Sequence, residues 1–154
     1  MKIIILFTAL ILAIPVMAQE DCTDIYRKVD DFTGKILMYS PVLKPATIYK
    51  TINKGKAVYQ LNLRAYGNTA VVNGKGVIIL FEDDTKWSKQ IKVSIDVDGG
   101  KFEYSTFFIL TESDILLIST KKIKKFRLDI FDEILDSGEA EKFVSYVNCI
   151  KNMK

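Results

Sequence analysis

The sequence predicts a mainly β protein, either an antiparallel β-sandwich or a small barrel of about seven or eight strands. Three observations predict this fold class. Turn residues separate short apolar or alternating runs about every eight to twelve positions. The strand–helix alternation of a parallel sheet is absent, and helix-start signals occur at two places. Those two signals predict a short helix near 112–119 and a C-terminal helix near 137–152.

The first segment, 1–18, has the pattern of a cleaved export signal. Lys2 precedes an apolar run at 3–14 that is shorter than a membrane-spanning helix, and Ala18 supplies the small residue at the cleavage point. A short membrane anchor is the alternative. The remainder, 19–154, has the size of one β-rich domain with one core. We therefore expect an exported protein, periplasmic or extracellular, with no transmembrane segment in the mature chain.

The first half of the domain reads as consecutive hairpins. Thr33 and Gly34 form a turn between two short runs, and Pro41 marks the loop that follows. A β-branched run at 46–52 then meets an alternating run at 57–66. Because every second residue of 57–66 is apolar or aromatic, that strand should have one buried face and one wet face.

The centre of the chain holds three runs of strand length. The first, 77–81, is apolar throughout, which predicts a central strand buried on both of its faces. The runs at 90–97 and 102–110 alternate with a period of two, as the strands of a hairpin do. A further strand is predicted at 126–131.

Two capping boxes mark the helix starts. Thr111 is followed three residues later by Asp114, and Asp136 is followed by Glu139. In such a pair each side chain accepts a hydrogen bond from a backbone N–H group at the start of the helix.

The C-terminal helix should be covered on two sides. One apolar stripe consists of Ala140, Phe143, Val144 and Val147, while Cys149 lies nearly opposite to it. Because an exported chain allows its two cysteines to pair, we predict that Cys22 and Cys149 form a disulfide. This bond would hold the N-terminal arm against the helix. Two separate buried thiols are the alternative.

The sequence lacks the residues that several common catalytic and metal-binding chemistries require. The chain has no histidine, which removes histidine-dependent nucleophilic catalysis and histidine metal sites. The predicted disulfide consumes both thiols, and no glycine-rich phosphate loop is present. An EF-hand starting at Asp96 would need Glu where Phe107 stands, although an irregular calcium site is an alternative. We therefore predict no catalytic residue, no metal and no cofactor.

Catalysis by a pair of carboxylates is the one catalytic chemistry for which the sequence contains candidate residues. The acidic groups are 82–84 and Asp96 with Asp98. If 90–97 is one strand of about 25 Å, these groups lie at opposite ends of it and cannot share a substrate. We read them as solvated turn residues.

Aromatic and basic residues provide the binding candidates. Trp87 follows a charged turn, where we expect an exposed ring. The strand tyrosines are either a ligand-binding face or ordinary sheet residues; they are Tyr39, Tyr49, Tyr59, Tyr66 and Tyr104. One dense basic cluster consists of Lys121, Lys122, Lys124, Lys125 and Arg127. This cluster either receives an anionic glycan or lipid surface, or blocks edge-to-edge pairing of a strand. With 22 Lys and Arg less Lys2 against 19 Asp and Glu, the mature charge of about +2 argues against nucleic acid.

Three stretches, GVIILFEDDTKW, FFILTESDILLIST and KIKKFRLDIF, resemble small exported β-rich proteins of Gram-negative bacteria. The resemblance covers about a third of the chain and implies an exported β protein without implying an activity. The leading functional hypothesis is a non-catalytic binding or interaction module, with an unknown protein or an anionic glycan or lipid surface as its partner. The alternatives are a carboxylate-dependent hydrolase acting without histidine, and an inhibitor or structural component of an envelope assembly.

Overall fold

The computed structural model describes residues 22–70 and 74–154, so the predicted export signal lies outside the described residues. The described chain is mainly β with two helices, which confirms the predicted class. In chain order the strands are β1 Tyr26–Val29, β2 Ile36–Tyr39, β3 Ala46–Asn53, β4 Lys56–Gly67, β5 Lys75–Phe81, β6 Lys86–Lys92, β7 Ser94–Asp98, β8 Lys101–Leu110, β9 Ile123–Leu128 and β10 Phe131–Ile134. The helices are α1 Glu112–Thr120 and α2 Ser137–Asn152.

The strands form two antiparallel sheets. The 6-stranded sheet has the order β1-β2-β3-β4-β8-β7, and the 4-stranded sheet has the order β10-β9-β5-β6. Within the described residues, each sheet ends in two different edge strands and does not close on itself, so the barrel alternative is wrong. The prediction of one strand at 126–131 is also wrong. The strand β9 ends at Leu128, and a turn at Asp129 and Ile130 leads into β10.

The predicted strand at 90–97 is two strands in different sheets. β6 ends at Lys92 in the four-stranded sheet, and β7 begins at Ser94 in the six-stranded sheet. Between them Val93 is buried, and its N–H donates to the carbonyl of Gly74 at 3.0 Å. A strand keeps its period of two when it changes partners, so alternation alone does not reveal this switch.

The strand β5 is central but is buried on one face only. It lies between β9 and β6, and Val77, Ile79 and Phe81 point into the core. Ile78 and Leu80 lie on the outer face, where Ile78 is 42% exposed. The prediction of burial on both faces is therefore wrong, because the described chain places no further layer over this face.

The core lies between the inner faces of the two sheets and beneath α2. On β4 the side chains of Leu61, Leu63 and Ala65 are fully buried, which confirms the predicted one-sided burial of that strand. Inter-sheet ring pairs such as Tyr104 with Phe131, whose centroids are 4.3 Å apart, join β8 to β10. The four-stranded sheet covers the β4–β8 half of the larger sheet, and α2 packs beside it on β3.

The C-terminal helix has two covered sides, as the sequence predicts. Cys22 and Cys149 form the disulfide, with Cα atoms 5.5 Å apart, and the hydroxyl of Tyr146 donates to Asp24 at 3.5 Å. Both contacts bind the N-terminal arm to the side of α2 that faces away from the sheet. Closing a chain loop of this length stabilises the fold by about 5 kcal/mol in the chain-entropy model.

A buried lysine binds the carbonyl groups at the C-terminal end of α2. Lys50 on β3 is 4% exposed, and its ammonium donates to the carbonyls of Ile150 at 3.1 Å and Met153 at 2.6 Å. The last carbonyls of a helix have no partner within the helix and carry partial negative charge, which a cation stabilises. Burial lowers the pKa of Lys50 because the charged form loses solvation.

Candidate binding surfaces

Trp87 is the second residue of β6, and its side chain contacts α1. Its indole N–H donates to the carboxylate of Asp114 at 2.7 Å, and its ring stacks on Phe108 with centroids 5.6 Å apart. Burial opposes ionisation of Asp114, but hydrogen bonds from Thr111 and Trp87 outweigh it, so the pKa of Asp114 lies below its ordinary value. The residue is half-buried, and its ring face toward Phe108 is not available to a ligand. A binding role for Trp87 stays a prediction.

The first three lysines of the basic cluster each face a separate carboxylate. Lys121 pairs with Asp83 at 2.6 Å, Lys122 with Glu141 at 2.7 Å and Lys124 with Asp84 at 3.4 Å. The hydrogen bond from Lys121, together with that from Thr85, lowers the pKa of Asp83 to about 2. These surface pairs tie β9 and its leading segment to the β5–β6 turn and to α2, and exposed pairs of this kind contribute little to stability.

The last two cations of the cluster share one carboxylate. Lys125 lies 3.4 Å from Asp132, and Arg127 donates to the same side chain through Nε and Nη2, the latter at 3.0 Å. All three side chains lie on the outer face of the four-stranded sheet, beside Ile78 and Leu80 of β5. Together they border a shallow depression of about 270 Å³. The basic cluster therefore has two parts. The three lysines described above each pair with a separate carboxylate, whereas Lys125 and Arg127 together carry one more positive charge than the single carboxylate between them neutralises.

A row of four rings crosses the outer face of the six-stranded sheet. It consists of Tyr26 on β1, Tyr39 on β2, Tyr49 on β3 and Phe107 on β8; we call it the aromatic row. Successive ring centroids are 5.1, 5.9 and 5.4 Å apart. The strand register causes this alignment, because Tyr39 lies directly opposite Tyr26 on one side and Tyr49 on the other.

The row is partly open to solvent. Tyr26 is 56% exposed and Phe107 is 52% exposed, and the equally open Ile109 stands two residues beyond Phe107 on the same face. Tyr39 stacks against a ring on either side, so both of its faces are covered. The row therefore presents mainly ring edges and hydroxyl groups to solvent, instead of the flat ring faces on which sugars stack.

The remaining strand tyrosines belong to other parts of the fold. Tyr104 is fully buried in the core, and Tyr59 lies under Lys50, whose ammonium is 5.4 Å from the ring centroid. Tyr66 donates to Glu103 at 3.0 Å. Sequence reasoning grouped these three with Tyr39 and Tyr49 and missed Tyr26 and Phe107, because only the pairing of distant strands brings the four rings of the row together.

The acidic groups do not converge. Residues 82–84 lie at the turn between β5 and β6, whereas Asp96 is on β7 in the other sheet. Across residues 22–70 and 74–154, no group of three or more His, Cys, Asp or Glu residues is arranged to hold a metal ion. In the same part of the chain, no helix is long and apolar enough to cross a bilayer.

No family model, curated protein or solved structure matches this chain. The resemblance to exported β-rich bacterial proteins therefore stays a prediction. The proposals that follow are therefore argued from the arrangement of side chains on the outer faces of the two sheets.

Proposed function

We propose that the protein is an exported, non-catalytic interaction module that binds a partner protein through the aromatic row. In this proposal the two sheets act as a β-sandwich-like scaffold that fixes the register of the rings. The observation that carries the proposal is the alignment of Tyr26, Tyr39, Tyr49 and Phe107 on a sheet face that the described part of the chain leaves open. A rigid row of this kind loses little conformational entropy on binding.

A protein partner fits this surface better than a glycan does. Tyrosine is enriched at protein interfaces because its ring buries apolar area while its hydroxyl keeps a hydrogen-bond partner. Sugars instead bind to exposed ring faces, and stacking covers both faces of Tyr39. Gln60 lies directly opposite both Tyr49 and Ile109 on the two neighbouring strands, so a polar group that can donate and accept hydrogen bonds stands within the apolar surface.

Export is supported by the disulfide between Cys22 and Cys149, since such bonds persist in oxidising compartments. The disulfide favours the periplasm or the extracellular space without choosing between them. The carboxylate-dependent hydrolase and the envelope inhibitor or structural component remain alternatives. The hydrolase requires two carboxylates that face one cleft.

A photo-crosslinking experiment in the native cells tests the proposal. A photoreactive amino acid replaces Ile109 beside the aromatic row, and in a matched control it replaces Leu116 on α1; each residue is 59% exposed. We expect a discrete crosslinked protein from position 109 and not from position 116. The Y39S/Y49S variant should abolish that product. The proposal is wrong if both positions give the same products, or if position 109 gives none.

A further inference from the structure

The outer face of the four-stranded sheet carries a second surface. Its register directs outward the side chains of Ile78 and Leu80 on β5, Lys86 on β6, Lys125 and Arg127 on β9, and Ile134 on β10. We call these six residues the basic–apolar face. Alternate residues of the same strands, such as Ile79 and Phe126, are buried in the core, which confirms the orientation.

Large aliphatic side chains are exposed on this face and in the turn beside it. Ile78 is 42% exposed and Ile134 is 69% exposed, while Ile130, in the adjoining turn between β9 and β10, is 60% exposed. Single exposed apolar residues are common on protein surfaces. Ile78 on β5 and Ile134 on β10 lie on either side of the outward-facing cations of β9, so this face places exposed apolar and positively charged side chains next to one another.

Positively charged side chains lie next to the isoleucines in the strand register. Lys86, Lys125 and Arg127 lie on the face, and Asp132 is the carboxylate that both Lys125 and Arg127 contact. The hydrogen bond from Arg127 lowers the pKa of Asp132, so its charge is present at neutral pH. Three cations against one carboxylate leave an excess of two positive charges on the face.

We propose that the basic–apolar face docks on the surface of an anionic lipid bilayer. Isoleucine side chains enter the boundary between headgroups and acyl chains, and the cations lie among the phosphates. The depression of about 270 Å³ is smaller than a usual small-molecule pocket of roughly 300–1,000 Å³. Among residues 22–70 and 74–154, no wall encloses the isoleucines that project beside the depression. Such a face suits contact with an extended surface and does not suit a soluble ligand.

This surface is separate from the aromatic row. The two lie on the outer faces of different sheets, and the sheets pack through their inner faces. The protein can therefore bind a bilayer and a partner protein at the same time. Either binding event can fail without affecting the other.

Vesicle co-sedimentation with the disulfide-bonded protein tests the proposal. The probes are vesicles of phosphatidylcholine alone and of equal parts phosphatidylcholine and phosphatidylglycerol. We expect binding to the mixed vesicles only, weakening as salt is added because screening shortens the range of the attraction. Binding to both kinds of vesicle with equal strength, or to neither kind, overturns the proposal.

Charge variants locate the contact. K125Q/R127Q should weaken partitioning about 25-fold, at about fivefold for each cation removed. The control K101Q/K142Q removes the same charge from exposed positions on β8 and α2. It should change partitioning less than twofold, because these charges do not lie on the face that docks on the bilayer and salt screens their attraction to it. If both variants lose vesicle binding equally, the vesicles attract the net charge of the protein and not this face, and the proposal is overturned.

Two further variants separate docking from misfolding. D132N removes the acidic partner that Lys125 and Arg127 share within the described residues, so partitioning should tighten about fivefold, an effect opposite to the loss of binding that a misfolded face would show. I78S/I134S should weaken binding to mixed vesicles while leaving the circular dichroism spectrum unchanged. If soluble polyglutamate displaces the protein from vesicles at equal charge concentration, the surface binds acidic proteins and the bilayer proposal is wrong.

Discussion

Substituting Lys50→Met tests whether a buried cation holds the C-terminus of α2. Methionine keeps the length of the side chain and removes its charge and its hydrogen bonds. In the parent, the ammonium donates to the carbonyls of Ile150 at 3.1 Å, Lys151 at 3.4 Å and Met153 at 2.6 Å. All three acceptors lie at the end of α2, where no intrahelical partner is available to them.

The expected loss of stability follows from these three bonds. A hydrogen bond to a charged group contributes about 1.5–3 kcal/mol, and the 3.4 Å bond is weaker than the other two. Two effective bonds give about 3–6 kcal/mol, from which the cost of burying the ammonium must be subtracted. The net loss is smaller than this gross figure, and we expect Lys50→Met to lower the free energy of unfolding by about 1–3 kcal/mol.

Urea denaturation of the oxidised protein measures this change. Lys56→Met is the matched control, because Lys56 at the start of β4 is exposed, and its change should stay within about 0.5 kcal/mol. Hydrogen exchange at the last turn of α2 should accelerate in Lys50→Met alone. A variant as stable as the parent would refute the reasoning, because it would mean that desolvation of Lys50 cancels its hydrogen bonds.

The pH dependence of stability gives a second readout for the same side chain. Burial lowers the pKa of Lys50 below its ordinary value of 10.5. Between the lowered pKa and 10.5, the unfolded chain binds more protons at this residue than the folded chain does. The contribution of Lys50 to the free energy of unfolding therefore rises with pH through that window. In Lys50→Met this part of the pH dependence should be absent.

Three other predictions use the described contacts. The pKa of Asp83 is about 2 in the fold and 3.8 ordinarily, so its contribution to stability is full above 3.8 and is lost as pH falls through 2; acid unfolding followed by fluorescence should be less steep in Asp83→Asn. Replacing both Cys22 and Cys149 with serine should lower the free energy of unfolding by at most about 5 kcal/mol, measured in urea, whereas a reductant should leave that variant unaffected. Trp87→Phe removes the N–H that stabilises the Asp114 carboxylate, so the pKa of Asp114 should rise in an NMR titration; an unchanged pKa would mean that this bond does not hold the carboxylate ionised.

Local signals in the sequence were sufficient for the helices and several strands. Both capping boxes form as predicted, at Thr111 with Asp114 and at Asp136 with Glu139. The helix α2 has the predicted bounds, and the alternation along β4 correctly separates its buried face from its wet face. These features depend on residues within a few positions of one another, so chain neighbours alone determine them.

The candidate sites required the fold. The aromatic row depends on the pairing of β1, β2 and β3 and on the position of β8 beyond β4, which bring Tyr26 and Phe107 into one line. The neighbouring lysines of the basic cluster have different partners. Lys124 pairs with a carboxylate of its own, whereas Lys125 shares its carboxylate with Arg127. A list of basic residues in the sequence carries no information on these partners.

The sequence by itself determined a mainly β chain, its two helices and the disulfide between Cys22 and Cys149. Only the tertiary structure decided that the strand run at 90–97 changes sheets at Val93 and that β5 has an open face. The physical reason is that a period of two identifies the side chains that share a face of one strand. Which strands become neighbours, and what covers each face, depends on contacts between residues far apart in the chain.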